Sequence, residues 1–242
     1  MDGGRTGLVP GGLYHVRLVA TNATGTTFGQ DQTFTAPAAA PPPPPVRGQN
    51  EDIKPVSGKV FIKTASGQFI PLTGAAQIPS GTVIDALHGS LTITTALPGS
   101  GGARDAAAKG KKPTPKAKTQ SGTFGGAIFK LTQARSGLAT LSIVEGAYPG
   151  APSYATCKAH KAPDATAASS NTLQLLHASA HGKFRTSGRY SSATVRGTIW
   201  TVADRCDGTL THDITDSVAV QDFVHHKTII LHAGQSYLAR KP

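Results

Sequence analysis

Apolar and polar residues alternate along most of this chain in short runs separated by turn-forming residues, a pattern typical of β-strands that bury one face. In the first run, Tyr14, Val16, Leu18 and Ala20 alternate with mostly polar neighbours. The chain is therefore predicted to be all-β, a sandwich, roll or solenoid of short strands with almost no helix. Beyond residue 36, the predicted strands lie at residues 58–63, 68–72, 78–86, 89–95, 122–131, 138–144 and from 182 onward.

Composition agrees with short strands and turns, because the chain contains 28 glycines and 17 prolines. No run of about 18 apolar residues exists, so the sequence predicts no membrane span as the chain stands. The first seven residues also lack the apolar segment of a signal peptide.

The first 36 residues form a distinct segment, in which two predicted strands flank a turn at residues 23–25. This segment resembles the last two strands of a fibronectin type III module. In that resemblance Tyr14 occupies the tyrosine-corner position and Asn22 leads into the final hairpin. A complete module has about 100 residues in two packed sheets, so upstream strands and a signal peptide are expected to be missing from this chain.

Residues 37–56 contain Pro37 and the five consecutive prolines at 41–45. This composition predicts a polyproline II spacer that holds two modules apart without packing against either. A second β-domain is predicted from residue 57 to residue 242. A basic Ala/Pro/Lys insertion at about 98–120 and a polar loop at about 147–170 interrupt it, and the insertion is expected to be disordered.

The C-terminal domain carries short motifs at both ends. A Gly-x-Val-x-Ile strand and a Pro-Ser-Gly-Thr-Val-Ile-Asp turn open it, residues 193–200 read Ala-Thr-Val-Arg-Gly-Thr-Ile-Trp, and Leu-His-Ala-Gly-Gln closes it. The order resembles FecR-type β-domains, loosely in the first half and better from residue 182. The resemblance implies structural roles for Arg196 and Gly234. Gly197 is expected to relieve crowding where strands approach each other. Trp200 is expected to continue the outward face of Arg196 and to pack on a neighbouring strand or loop, or alternatively to stack on a sugar.

Two cysteines, Cys157 and Cys206, lie 49 positions apart with no second cysteine or histidine at metal-binding spacing. They form either a disulfide, which would favour an extracytoplasmic location, or two isolated buried thiols.

The formal charge of +11 is unevenly distributed. Residues 101–120 hold six basic and one acidic residue and residues 153–190 hold five and one, whereas residues 191–242 hold five of each. The excess thus falls in predicted loops, which either keep the protein soluble or contact an anionic envelope polymer. Nucleic-acid binding is not expected, because no aromatic residue accompanies the lysines at 109, 111, 112, 116 and 118.

No catalytic motif is present, and the best candidates for chemistry are clusters of acidic residues and histidines. The sequence around Asp204 and Asp207, Asp-Arg-Cys-Asp-Gly, predicts a β-turn rather than a calcium loop. His177 and His181 could share a helix face. The remaining candidates are the carboxylates Asp213, Asp216 and Asp222 and a possible metal set of His225, His226 and His232, with the first two in a hairpin turn.

These observations predict a secreted or cell-surface protein of bacterial type that binds or scaffolds without catalysis, metal or cofactor. Its expected partner is a cell-envelope protein or an anionic or polysaccharide polymer. The FecR resemblance implies an alternative, an extracytoplasmic regulator or sensor that acts through protein contacts. A second alternative is an accessory carbohydrate-binding part of a polysaccharide-active enzyme. The sequence does not indicate an oligomeric state.

Overall fold

The computed structural model of the chain describes residues 8–9, 11–37, 40–99, 118–157 and 172–242. The protein is all-β, as predicted, and it divides into two compact units, Met1–Pro41 and Pro42–Pro242. Most of the basic insertion and the second part of the polar loop lie outside the described residues.

The first unit is built from two antiparallel strand pairs. Strands β2 (Val19–Asn22) and β3 (Gly25–Phe28) form a hairpin, and β1 (Leu13–Val16) pairs with β4 (Gln32–Thr35). The side chain of Asn22 accepts hydrogen bonds from the backbone N–H groups of Thr24 and Gly25, which is the turn-forming role expected of it.

Tyr14 ties the start of β1 to the residues just before it in the same unit. Its hydroxyl accepts a 2.6 Å hydrogen bond from the backbone N–H of Val9, and its ring stacks on Phe34. Leu18 and Phe28 remain largely exposed, and within the described residues of this unit no second sheet covers them.

The second unit contains thirteen strands in one hydrogen-bonded network. Its first half consists of β5 (Asn50–Lys63), β6 (Phe69–Pro71), β7 (Ala76–Pro79), β8 (Val83–Ala96), β9 (Thr119–Gly125), β10 (Ile128–Gln133) and β11 (Ala139–Ile143). A short 3-10 turn, Tyr154–Thr156, follows. The second half consists of β12 (Thr172–Ser187), β13 (Ser191–Arg205), β14 (Gly208–Asp213), β15 (Ser217–Asp222), β16 (Lys227–His232) and β17 (Ser236–Arg240).

The four long strands β5, β8, β12 and β13 each contribute to two sheets. One half of each belongs to sheet 1, in the order β7–β5–β8–β9–β12–β13–β14–β17. The other half belongs to sheet 2, in the order β6–β5–β8–β10–β11–β12–β13–β15–β16. The β11–β12 pair is parallel and the other neighbouring pairs are antiparallel.

Glycines lie where the long strands pass from one sheet to the other. Gly58 of β5 has a φ of +63°, and an added Cβ there would lie 2.0 Å from the carbonyl oxygen of His88. Its register partner Gly89 is equally crowded, since a Cβ would lie 2.6 Å from the Lys59 carbonyl oxygen. Only glycine therefore fits where β5 and β8 cross between the sheets.

The inner faces of the two sheets pack on one hydrophobic core. Phe124 of sheet 1 contacts Phe184 of sheet 2, with ring centroids 5.3 Å apart, and meets Trp200 edge-to-face. Trp200 has no exposed surface, and its indole N–H donates a 2.8 Å hydrogen bond to the Thr186 hydroxyl. Ring contacts of this kind stabilise the folded state by about 1 kcal/mol each, beyond the stabilisation that comes from burying the rings.

Several sequence expectations differ from the structure. The second unit begins before residue 57: β5 starts at Asn50, Pro45 is buried, and the Pro43 carbonyl accepts a hydrogen bond from Gln77, so the end of the proline segment packs on the β-domain. Strand β12 starts ten residues earlier than residue 182. His177 and His181 therefore lie on a strand rather than a helix.

Trp200 does not share the outward face of Arg196, contrary to the prediction. Val195 and Trp200 both face the core although they are five positions apart, so the alternation of β13 reverses between them. The pairing of β12 with β13 is irregular between His181 and Phe184, opposite this point. Two residues of β12 there oppose one residue of β13, as in a β-bulge. Trp200 lies in the core beyond this point and is not exposed to a sugar.

Candidate functional site

The five acidic residues of the C-terminal segment do not converge on one site, and most of them hold the fold together. Asp204 is buried and accepts hydrogen bonds from the Thr209 hydroxyl, at 2.6 Å, and from the backbone N–H of Arg189. Burial raises the pKa of its carboxyl above the usual value. Asp207 forms a two-pronged ion pair with the buried guanidinium of Arg205, at 2.7 and 2.8 Å.

Asp222 is the most completely bonded of these carboxylates. It is fully buried, and it accepts hydrogen bonds from the backbone N–H groups of Val224 and His225 and from the Tyr237 hydroxyl at 2.6 Å. The His225 ring also lies 3.0 Å from it. Although burial opposes ionisation, these bonds hold the pKa of Asp222 below its usual value. Burial, together with the contact to Asp222, raises the pKa of Tyr237 to about 12.

The histidine candidates do not form one cluster. His225 and His226 form the predicted turn between β15 and β16, and His232 lies on the outer face of β16. Among the described residues, no three His, Cys, Asp or Glu side chains are arranged to hold a metal ion. Asp216, with a φ of 64°, lies in the exposed turn before β15.

Cys157 and Cys206 form a disulfide, which confirms the first of the two expectations for them. The bond ties the loop after β11 to the turn between β13 and β14. The same loop is held by Glu145, which pairs with Arg189 and accepts a 2.6 Å hydrogen bond from the backbone N–H of Tyr154. The loop is therefore anchored on the sheet by both covalent and ionic contacts.

Burial of the acidic residues leaves the surface of the second unit basic. Of the nine acidic residues described there, five are buried, namely Glu51, Asp85, Asp204, Asp213 and Asp222. Of the fifteen basic residues described there, Arg205 is buried and the others reach the surface. The equal acidic and basic counts of residues 191–242 thus do not give a neutral surface.

Three of the surface cations lie on the outer face of sheet 2. Arg185 of β12 is flanked in register by Thr140 and Thr194, and its Nε donates a 3.0 Å hydrogen bond to the Thr194 hydroxyl. Lys130 lies two strands away, roughly 10 Å at the usual strand spacing, and Arg196 follows Thr194 on β13. Within the described chain no carboxylate pairs with any of the three.

Hydroxyl groups surround these cations, and together they form a surface that we call the basic face. The basic face comprises Lys130, Arg185 and Arg196 with the neighbouring Thr132, Thr140, Ser142, Ser187 and Thr194. A shallow depression of about 520 Å³ lies beside Arg196, with Asp216 at its edge. Guanidinium, ammonium and hydroxyl donors side by side can bind phosphate, sulfate or carboxylate groups.

Glu51 is a buried acidic group outside the basic face. It lies on β5 opposite Ile78, has no exposed surface, and neither carboxylate oxygen has a hydrogen-bond partner of good geometry. Burial raises the pKa of Glu51 from 4.5 to about 7, and the nearby Ser80 hydroxyl offsets only part of this effect.

Replacing Glu51 with Gln is expected to stabilise the protein at pH 8 and to change little at pH 4. The folded state resists ionisation of Glu51, so wild-type stability should fall as pH rises from the unfolded pKa of 4.5 through about 7. The gain at pH 8 should be about 3 kcal/mol, since each pKa unit corresponds to about 1.4 kcal/mol. Urea unfolding across this pH range measures it, with the exposed Asp216→Asn as control. An equal pH slope in wild type and Glu51→Gln would contradict the assignment.

No protein-family model, curated protein or solved structure matches this chain. The described residues also contain no helix with the length and apolarity that a membrane span requires. The functional argument therefore rests on the chemistry of the surfaces themselves.

Proposed function

We propose that this protein is a non-enzymatic binding module of the bacterial cell surface, secreted or attached to the envelope, that holds an anionic polymer on its basic face. The observation that carries the proposal is the separation of charge: the acidic residues are mostly internal, while Lys130, Arg185 and Arg196 remain exposed without acidic partners. A polymer that presents regularly spaced anions would meet several donors at once.

The disulfide supports an extracytoplasmic setting, because such bonds persist in oxidising compartments. The FecR-like and fibronectin-like assignments remain proposals based on the motifs around Tyr14, Arg196 and Gly234. Both families fit a surface protein that works through contacts. The sensor role implied by the first would require a membrane-protein partner in addition to the polymer.

Long inorganic polyphosphate is a suitable probe, since it presents anionic groups without a base or sugar. Calorimetry on the full chain should give a dissociation constant that rises with salt, because ions screen exposed charges. The variant Lys130→Gln/Arg185→Gln/Arg196→Gln should weaken binding by about tenfold or more, since each lost charged contact is worth roughly 1 kcal/mol.

Two matched variants decide whether the basic face is responsible. Lys54→Gln/Lys59→Gln/Lys241→Gln removes the same net charge from other surfaces and should leave binding within about threefold of wild type. Replacing the lysines at 109, 111, 112 and 116 with Gln tests the basic insertion. Equal losses in the first two variants, or a loss confined to the insertion variant, would contradict the proposal. Tighter binding of duplex DNA than of polyphosphate would contradict the polymer class.

A further inference from the structure

One row of residues across the outer face of sheet 1 has a chemistry opposite to that of the basic face. Seven residues from seven strands lie in register across it, and none carries a Lys, Arg, Asp or Glu side chain. We call this row the hydroxyl track, and it comprises Ser57, Ser90, Gly125, His177, Thr201, His212 and Ser236. Six strand spacings make it roughly 29 Å long.

Hydrogen bonding differs between the ends and the middle of the hydroxyl track. Ser57 bonds to Ser90 at 2.8 Å, and His212 bonds to Ser236 at 2.8 Å. The His177 ring is exposed and has no hydrogen-bond partner among the described residues. The track therefore has a free polar group at its centre.

A depression of about 350 Å³ lies at the same central point. Its floor is close to the backbone at Gly125, where an added Cβ would lie 2.4 Å from the Gly89 carbonyl oxygen, so no larger residue fits. Ile199 and Ile214, respectively 42% and 43% exposed, form an apolar wall beside it. A ligand here would meet apolar surface and hydrogen-bonding groups together.

The absence of charge from the track restricts the occupant. Fourteen of the fifteen described basic residues of this unit reach its surface, yet none lies in the row, so a polyanion would find no partner there. An uncharged chain with hydroxyl groups on its edges and apolar C–H groups on its flat sides matches both surfaces of the depression. The row crosses seven strands, and a ligand that contacts its whole length has to be an extended chain rather than a coiled one.

We propose that the hydroxyl track binds an extended, neutral polysaccharide, whose sugar rings lie against Ile199 and Ile214 and whose hydroxyl groups bond to His177 and its neighbours. This site is separate from the basic face and does not depend on the proposed polyanion binding. The protein would then join a neutral glycan on one sheet to an anionic polymer on the other.

Calorimetry with three neutral hexasaccharides on the full chain tests the proposal. Cellohexaose and chitohexaose are extended, and maltohexaose is coiled. At least one of the extended chains should bind more tightly than maltohexaose, and raising the salt to about 0.5 M should change the affinity less than twofold, because no charge pairs are involved.

The variant His177→Ala/Ile199→Ala should weaken hexasaccharide binding at least tenfold. The variant Ile230→Ala/His232→Ala is its matched control, since it removes the same two side-chain types from exposed positions on the outer face of sheet 2. The control should bind the hexasaccharide normally, and polyphosphate should still bind to the His177→Ala/Ile199→Ala variant.

Three results would overturn the proposal. The first is that neither extended hexasaccharide binds, and the second is that both double variants lose affinity equally. The third is that His177→Ala/Ile199→Ala changes the sedimentation of the unliganded protein from dimer to monomer, which would make a second copy of the chain the occupant. None of these results depends on whether polyphosphate binds to the basic face.

Discussion

Replacing Cys157 and Cys206 with Ser is expected to lower the free energy of unfolding by about 4 kcal/mol. The disulfide closes a loop with a sequence separation of 49, and the chain-entropy model assigns about this value to a loop of that length. The loss should act mainly through the unfolded state, because Glu145 and its partners still hold the loop on the sheet.

Urea unfolding measures this effect in wild type and in the Cys157→Ser/Cys206→Ser variant, each with and without a reducing agent. Reduction should destabilise the wild type to the level of the variant and leave the variant unchanged. Equal stability of oxidised and reduced wild type would show that the disulfide contributes nothing to the fold.

Replacing Asp222 with Ala is expected to destabilise the protein by about 3 kcal/mol at pH 7. The substitution removes the acceptor for two backbone N–H groups and the Tyr237 hydroxyl, and buried donors without an acceptor are costly. Tyr237→Phe, which removes one of these bonds, should lose only about 1 kcal/mol.

The pH dependence of Asp222 follows from the direction of its pKa shift. Its folded pKa is depressed below the usual 3.8, so its contribution is present above that value and is lost as pH falls below it. Wild-type stability should therefore decrease between pH 4 and pH 2 more steeply than that of Asp222→Ala. Parallel pH profiles below pH 4 would contradict this role.

The alternation of side chains predicted the strands because the period of two is a local property. It failed at β12, where the Leu- and Ala-rich residues 172–181 have helix-forming composition and carry two histidines four positions apart. These residues became a strand because β9 and β13 pair with them on both sides. Such long-range pairing overrides local propensity and leaves no mark in the segment itself.

The reversal in β13 and the charge separation were also invisible in the sequence. The faces of Arg196 and Trp200 depend on a pairing irregularity with β12, which residue order does not show. Counting acidic residues likewise gave a neutral C-terminal segment, since a count does not distinguish the buried Asp213 or Asp222 from a surface carboxylate. The turn at Asp207, by contrast, followed from residue type, whereas the two cysteines alone left a disulfide and two separate buried thiols as alternatives.

The basic face is tested most directly by chemical footprinting of the full chain with and without polyphosphate. Arginine- and lysine-specific reagents with mass spectrometry report the reactivity of each cation. We expect Lys130, Arg185 and Arg196 to become protected while Lys59 and Lys241 keep their reactivity. Uniform protection of all five, or protection of Lys59 and Lys241 alone, would contradict the assignment of polymer binding to the outer face of sheet 2.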